Sequence, residues 1–158
     1  LAVDGEGPSA FILSRQAVPV LEGTAGAPVE RGAYVLVDAA HGEPDIVLIG
    51  TGSEVQVCVA AAKLLAADGI GARVVSMPCW ELFEDADPDT IEDVLPVEVP
   101  AIAVEAGVTF GWERWADDVI GLDRFGASGP GDEVMAKFGF TAEHVAERAR
   151  ELLDALRD

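Results

Sequence analysis

The chain has 158 residues, half of them hydrophobic, and 29 acidic against 10 basic side chains give it a formal net charge of −19. This length allows one well-packed core with a small appendage. So negative a surface disfavours nucleic acid and anionic membranes as partners. No stretch approaches the ~18 consecutive apolar residues of a membrane span, and the first residues lack the features of a secretory signal. We therefore expect a globular cytoplasmic protein that binds neither nucleic acid nor membranes.

The first structural segment along the chain is an apolar run at residues 10–14, which predicts a buried strand ending in polar residues. Residues 17–30 follow it with Pro19, Pro28 and two glycines, without useful periodicity, and this composition is typical of a linker. A lone parallel strand is not stable. It either adds to the edge of a downstream sheet or, as we prefer, is the last strand of a preceding domain.

Two further strands are predicted at residues 34–38 and 46–49, with a turn at 41–44 between them. The turn is too short for a crossover, so we expect these strands to pair antiparallel. The second run is continuously apolar rather than alternating. That pattern favours a strand covered on both faces of a parallel sheet.

Residues 45–78 predict a complete strand, helix, strand unit. Thr51 and Glu54 have the spacing of a capping box, in which the Thr51 hydroxyl would accept from the backbone N–H of Glu54. The helix would end at Gly69, and residues 73–76 would return parallel to the first strand. Its predicted buried stripe comprises Val55, Cys58, Val59, Ala62, Leu65 and Ala66.

The rest of the chain alternates helices with strands. Helices are predicted at residues 79–85, 88–95, 112–118, 132–138 and from 142 onward, with Asp87 and Thr141 as N-caps. Strands are predicted at residues 101–105 and 119–122. This order predicts a three-layer α/β/α sandwich around a sheet of about five strands, mostly parallel with one antiparallel edge strand.

A candidate anion site lies at Thr51, Gly52 and Ser53, which follow a strand and open a helix. Backbone N–H groups at such a position can bind a phosphate or carboxylate. The third glycine of a dinucleotide fingerprint is replaced by Val55, and no Walker-type lysine is present. A plain helix cap explains the same residues more simply.

A second candidate cluster comprises Glu105, Trp112, Glu113 and Trp115, near the predicted carboxyl edge of the sheet. Open α/β folds bind ligands at that edge, and paired carboxylates can act as acid and base. Aromatic side chains on a short helix more often belong to a core or an interface. No nucleophile or histidine lies nearby, so we predict no catalytic residue in this chain.

The sequence contains only two cysteines, Cys58 and Cys79, and two histidines, His41 and His144. We expect both cysteines to be small buried hydrophobic residues rather than a disulfide or metal pair. The four side chains are too scattered in sequence to form a metal cluster. No bound metal is therefore predicted.

Arg15 stands at the carboxyl end of the first predicted strand. A buried arginine there would need an anionic partner, and its planar guanidinium can bind two oxygens of a phosphate. From these residues alone, an arginine at an exposed strand end, with no bound phosphate, is an equally good explanation.

Five segments, taken in order, resemble the C-terminal portion of transketolase. They are GPSAFILSRQ (7–16), VLIGTGSEV (47–55), ARVVSMP (72–78), AVEAG (103–107) and KFGFTAEHV (137–145). The resemblance covers almost the whole chain. It implies that residues 1–30 are the last strand of a pyrimidine-binding domain plus a linker, and that residues 31–158 are the C-terminal α/β domain.

The resemblance also implies a function. Transketolases are thiamine diphosphate enzymes of the pentose phosphate pathway that transfer a two-carbon ketol unit between sugar phosphates, with active sites at a homodimer interface. The arginine of the LSRQ motif, here Arg15, would bind the substrate phosphate. The cofactor, its divalent metal and the catalytic residues would belong to the two preceding domains. We therefore expect this chain alone to be inactive and to bind neither cofactor nor metal.

Two other classes of protein remain open at this point. One is a non-catalytic module that binds an anion, regulates a partner or dimerises through the helix terminus at residues 51–54. The other is the C-terminal domain of a different thiamine enzyme, such as a two-oxoacid dehydrogenase β subunit or deoxyxylulose phosphate synthase. The LSRQ and SMP segments argue against the latter.

Overall fold

A computed structural model describes residues 2, 3, 5 and 7–157, and its centre is a five-stranded sheet with the order β1-β3-β2-β4-β5. The strands are β1 (Tyr34–Val37), β2 (Ile46–Gly50), β3 (Ala72–Ser76), β4 (Ala101–Val104) and β5 (Asp118–Ile120). The helices are α1 (Val55–Ala67), α2 (Trp80–Glu84), α3 (Pro88–Val94), α4 (Gly131–Lys137) and α5 (Ala142–Ala155). The predicted mixed α/β sandwich is confirmed.

Strands β2 to β5 run parallel, whereas β1 is antiparallel and pairs with β3. The prediction that β1 pairs with β2 is therefore wrong. Both edges of β2 are occupied by parallel partners, β3 on one side and β4 on the other, so β1 is displaced to the sheet edge. Asp45 holds the start of β2 against β3, because its Oδ2 accepts from the backbone N–H of Gly71 at 2.7 Å.

Two hydrophobic clusters cover the two faces of the sheet, and β2 contributes to both by alternation. Ile46 and Leu48 face the cluster that contains α1 and α5, while Val47 and Ile49 face the cluster under α2 and α3. All five residues of β2 are buried. This explains the continuously apolar sequence of the strand.

Helix α1 buries a slightly different stripe from the predicted one: Ala61 is buried, whereas Ala66 is exposed. Cys58 lies in this stripe, and burial raises the pKa of its thiol. Cys79 is partly exposed, and both cysteines are free. The expectation that they form no disulfide is confirmed, while the burial of Cys79 is only partial.

The predicted strand at residues 10–14 is absent from the described chain. Phe11, Ile12 and Leu13 are 73%, 97% and 81% exposed, so no layer of this domain covers them. The assignment of that strand to a preceding domain stays a prediction. The predicted helix at 112–118 is wrong: only a 3₁₀ turn, Trp112–Arg114, forms before Asp118 begins β5. Within the described residues, no helix is long and apolar enough to cross a membrane.

Candidate functional site

The carboxyl ends of the parallel strands meet at one edge of the sheet, which we call the carboxyl edge. The chain crosses from β2 to β3 over one face and from β3 to β4 over the other, so the direction of winding changes between β2 and β4. Open α/β folds bind ligands in the crevice at this switch point. The loops at residues 51–54 and 105–111 flank it here.

Glu54 joins these two loops. It is 4% exposed, its Oε1 accepts from the Ser53 hydroxyl at 2.6 Å, and its Oε2 accepts from the backbone N–H of Ala106 at 3.2 Å. Thr51 makes no side-chain cap bond, and a 3₁₀ turn, Gly52–Glu54, precedes α1 instead. The predicted capping box is therefore wrong, because Glu54 bonds across the sheet edge rather than back to its own helix.

The candidate anion site at Thr51, Gly52 and Ser53 thus adjoins a buried carboxylate. The Ser53 hydroxyl is already engaged, donating to Glu54 and accepting from Gln16 Nε2 at 3.4 Å. A negative charge beside the site disfavours a bound anion. Anion binding at these residues stays a prediction, and the position of Glu54 weighs against it.

Gly50 has a structural explanation that needs no ligand. A Cβ at this position would lie 2.8 Å from the Cα of Val55 and 3.1 Å from the Sγ of Cys58. Only a residue without a side chain allows the end of β2 to approach the start of α1 so closely. The glycine therefore serves helix packing.

Gln16, the residue after Arg15, donates from Nε2 to the Ser53 hydroxyl at 3.4 Å, which brings this end of the segment to the start of α1. Of the two sequence-predicted sites, residues 51–53 therefore contact the residue that follows Arg15. Arg15 is exposed, and no carboxylate within residues 7–157 pairs with it. Phosphate binding by Arg15 stays a prediction.

The second predicted cluster is brought together only in part. Trp112 is 1% exposed, and its indole Nε1 donates to Glu105 Oε2 at 2.7 Å. Glu113 instead accepts from the backbone N–H of Gly111 at 2.7 Å, and Trp115 packs on Phe83 with ring centroids 5.1 Å apart. Both carboxylates are engaged in structural hydrogen bonds. These aromatic residues are therefore better explained as part of the hydrophobic core than as part of a ligand site at the carboxyl edge.

Trp112→Phe is expected to lower the free energy of unfolding by about 1–3 kcal/mol, because the Glu105 carboxylate loses its indole donor while an aromatic ring stays in place. Urea denaturation measures the loss. Trp80→Phe is the matched control, since Trp80 packs edge-on to Trp112 at 4.8 Å and donates no side-chain hydrogen bond within the described chain. Equal losses for the two variants would show that the Glu105 bond contributes nothing.

Sequence reasoning missed the pairing of Thr109 with Asp123. Asp123 accepts from the Thr109 backbone N–H at 2.9 Å and from its hydroxyl at 2.7 Å, and these bonds lower the pKa of the Asp123 carboxyl. The two residues lie on the loops after β4 and β5. Only the parallel pairing of those strands brings them together, so no local sequence signal reveals the contact.

In the described ranges, no group of three or more His, Cys, Asp or Glu side chains is arranged to hold a metal. The many acidic side chains of the described residues therefore form no metal centre among themselves. The expectation that cofactor and metal belong to other domains stays a prediction.

The fold and this edge define a doubly wound α/β domain in which Glu54 and Glu105 are engaged in internal hydrogen bonds. A family profile described as transketolase-like C-terminal domain matches residues 32–141. Transketolase from Halalkalibacterium halodurans is 46% identical over an alignment of 154 residues that covers 93% of this chain and 23% of that protein. The chain belongs to the transketolase family and corresponds to its C-terminal domain.

Solved structures agree with this assignment. Transketolase from Campylobacter jejuni superposes with a TM-score of 0.88 at 34% identity, over 96% of this chain and 23% of that one. A Pichia stipitis transketolase complex with sedoheptulose-7-phosphate gives a TM-score of 0.85 at 40% identity, over 90% and 21% of the respective chains. The chain spans less than a quarter of the length of these relatives.

Proposed function

We propose that this chain is the C-terminal part of a transketolase, a longer enzyme that transfers a two-carbon ketol unit between sugar phosphates. One comparison carries the proposal: 93% of this chain aligns with a transketolase, but the alignment covers only 23% of that relative. The chain therefore corresponds to one part of a longer enzyme. Sedoheptulose-7-phosphate in the Pichia complex is a sugar phosphate, which supports this substrate class. Thiamine diphosphate and a divalent metal would supply the carbanion chemistry in the preceding domains.

Within this enzyme, Arg15 would bind the substrate phosphate. Its exposed guanidinium has no carboxylate partner in the described chain, and Gln16 fastens the segment to Ser53. A phosphate can accept two hydrogen bonds from the planar guanidinium. The acidic remainder of the domain would repel a phosphate, so this arginine is a favourable place for one at the carboxyl edge.

The domain formed by residues 31–158 would have a structural role. Glu54 and Glu105, the carboxylates nearest the switch point, are both committed to hydrogen bonds that hold loops together. The active form would be a homodimer, as the family resemblance implies. The compartment stays a prediction, since relatives include chloroplastic enzymes.

Ketol transfer by the longer protein and by this chain alone tests the proposal. With thiamine diphosphate, Mg²⁺, sedoheptulose-7-phosphate and an aldose phosphate acceptor, the longer protein is expected to turn over. The 158-residue chain is expected to show no turnover, because neither of its crevice carboxylates is available for chemistry. Turnover by the chain alone, or none by a folded longer protein, would contradict the proposal.

A further inference from the structure

A cavity lies at the amino edge of the sheet, where the parallel strands begin, and we call it the amino-edge cavity. Its volume is about 260 Å³, and it is lined by Val47 of β2, Ala101 of β4, α3 with the connection to β4, and residues 113–117 before β5. A cavity of roughly 150 Å³ can hold a benzene ring. The amino-edge cavity therefore has room for a single ring with a substituent.

Most of the lining is apolar. Ile91, Leu95 and Val99 pack against the hydrophobic cluster under α2 and α3, to which Val47 and Ala101 belong. Small-molecule sites are typically lined in this way, with a few polar groups that fix the orientation of the ligand. The lining thus suits a ligand whose body is apolar, because apolar surface gains free energy when it leaves water.

The charged side chains of the lining already have partners. Glu113 and Asp117 each accept a hydrogen bond from a backbone N–H, at 2.7 and 2.8 Å. Arg114 forms an ion pair with Glu84. These groups are therefore engaged within the domain, and none of them is the group that would orient a ligand.

Trp115 brings an unpaired hydrogen-bond donor to the same cavity. Its indole Nε1 is buried and has no hydrogen-bond partner in the described part of the chain. The ring of Phe83 packs on the indole with centroids 5.1 Å apart, and the Arg114 guanidinium lies 5.4 Å from the centroid. Neither neighbour can pair with Nε1, since a guanidinium only donates and a phenyl ring carries no oxygen or nitrogen. A buried donor without a partner is costly, so an acceptor brought by a ligand would stabilise the complex.

The charges around the cavity select the kind of acceptor. A cationic group would not accept from the indole N–H. An anionic group would be repelled by Glu113 and Asp117, on a chain whose net charge is −19. An uncharged oxygen, such as that of a carbonyl group, avoids both problems.

The geometry points to a binding site in the amino-edge cavity for a small uncharged molecule, an apolar ring that carries a carbonyl acceptor for the Trp115 N–H. The site lies at the opposite edge of the sheet from residues 51–53. It goes beyond the proposed function and does not depend on it. A folded protein should bind the ligand whether or not it transfers ketol units.

Ligand-observed NMR titration of the longer protein with benzamide and benzoate tests the charge selection. The two probes have nearly the same shape, but benzoate would bring a charge into an apolar cavity. Benzamide is expected to bind at least about tenfold more tightly. Equal affinities, or no binding of benzamide at millimolar concentration, would overturn the inference.

Trp115→Phe tests the hydrogen bond. The substitution is expected to weaken benzamide binding about fivefold, because the ring stays and the N–H is lost. Toluene, which has the ring but no carbonyl, should lose no affinity on the same substitution. Trp80→Phe is the matched control, since Trp80 does not line the cavity, and it should leave benzamide binding unchanged. Equal losses for benzamide and toluene, or for the two variants, would contradict the role of Nε1.

Ala116→Leu tests the location, because Ala116 lines the cavity and a larger side chain would fill it. Benzamide binding should be lost, and retained binding would place the probe elsewhere and overturn the inference. If these variants do not fold, crystals of the unsubstituted longer protein soaked in benzamide decide the question. The carbonyl oxygen should lie within about 3.2 Å of Trp115 Nε1. A cavity that holds only water, or a carbonyl turned away from Nε1, would refute the site.

Discussion

Arg15→Ala in the longer enzyme is expected to raise the KM for sugar phosphates about 100-fold, because a bidentate, charge-assisted contact to the substrate phosphate is lost. Thiamine diphosphate affinity should not change, since Arg15 would contact the substrate rather than the cofactor. Steady-state kinetics with sedoheptulose-7-phosphate measures the first quantity, and calorimetric titration with thiamine diphosphate measures the second. Unchanged kinetic constants would refute the assignment of Arg15.

Two control variants sharpen the Arg15 experiment. Arg15→Lys retains the positive charge but loses the guanidinium fork, so its KM should lie between those of the parent and the alanine variant. Arg31→Ala removes an exposed arginine at the end of a 3₁₀ turn beyond the linker, and its KM should equal that of the parent. A raised KM for Arg31→Ala would indicate a general effect of positive charge instead of a specific contact.

Gly32→Ala is expected to destabilise the domain by about 4 kcal/mol, of which about 1 arises from the positive φ and about 3 from overpacking. Gly32 has a φ of 80°, and a Cβ there would collide with backbone atoms of Cys79, Leu82 and Phe83. Its carbonyl also accepts from the backbone N–H of Cys79 at 3.1 Å. Neither strand β1 nor helix α2 can move away without breaking this contact.

Gly69→Ala is the matched control for Gly32→Ala. Gly69 has the same φ of 80°, but an added Cβ would meet nothing within 4 Å. Its cost should therefore be only the backbone strain of about 1 kcal/mol. Urea denaturation of both variants gives the difference, and equal losses would show that the close approach of Gly32 to α2 is not a determinant of stability.

Local patterns predicted the helices and strands whose signals lie within a few residues. The N-caps Asp87 and Thr141 are confirmed, because their side chains accept from the backbone N–H groups of Thr90 and His144 at 3.0 and 3.2 Å. The predicted start and end of α1 were also close to those observed, Val55 and Ala67. Gly69, which has a positive φ, follows the end of the helix as predicted. These features depend on short-range geometry.

Predictions that required a partner elsewhere in the chain were less successful. The pairing of β1 was wrong because it depends on which strands fill the two edges of β2. The helix predicted after Gly111 was wrong because β5 begins at Asp118, where it pairs with Ile102 of β4. Long-range pairing thus competes with local propensity, and here it prevails.

The sequence by itself determined most of the order of elements, the mostly parallel sheet and the resemblance to transketolase, because periodicity, caps and motifs depend on consecutive residues. Only the tertiary structure decided that Glu54 bonds to Ala106, that Trp112 holds Glu105, and that Asp123 binds Thr109. The physical reason is distance along the chain. Glu54 and Ala106 are 52 residues apart, and only the parallel pairing of β2 with β4 makes them neighbours.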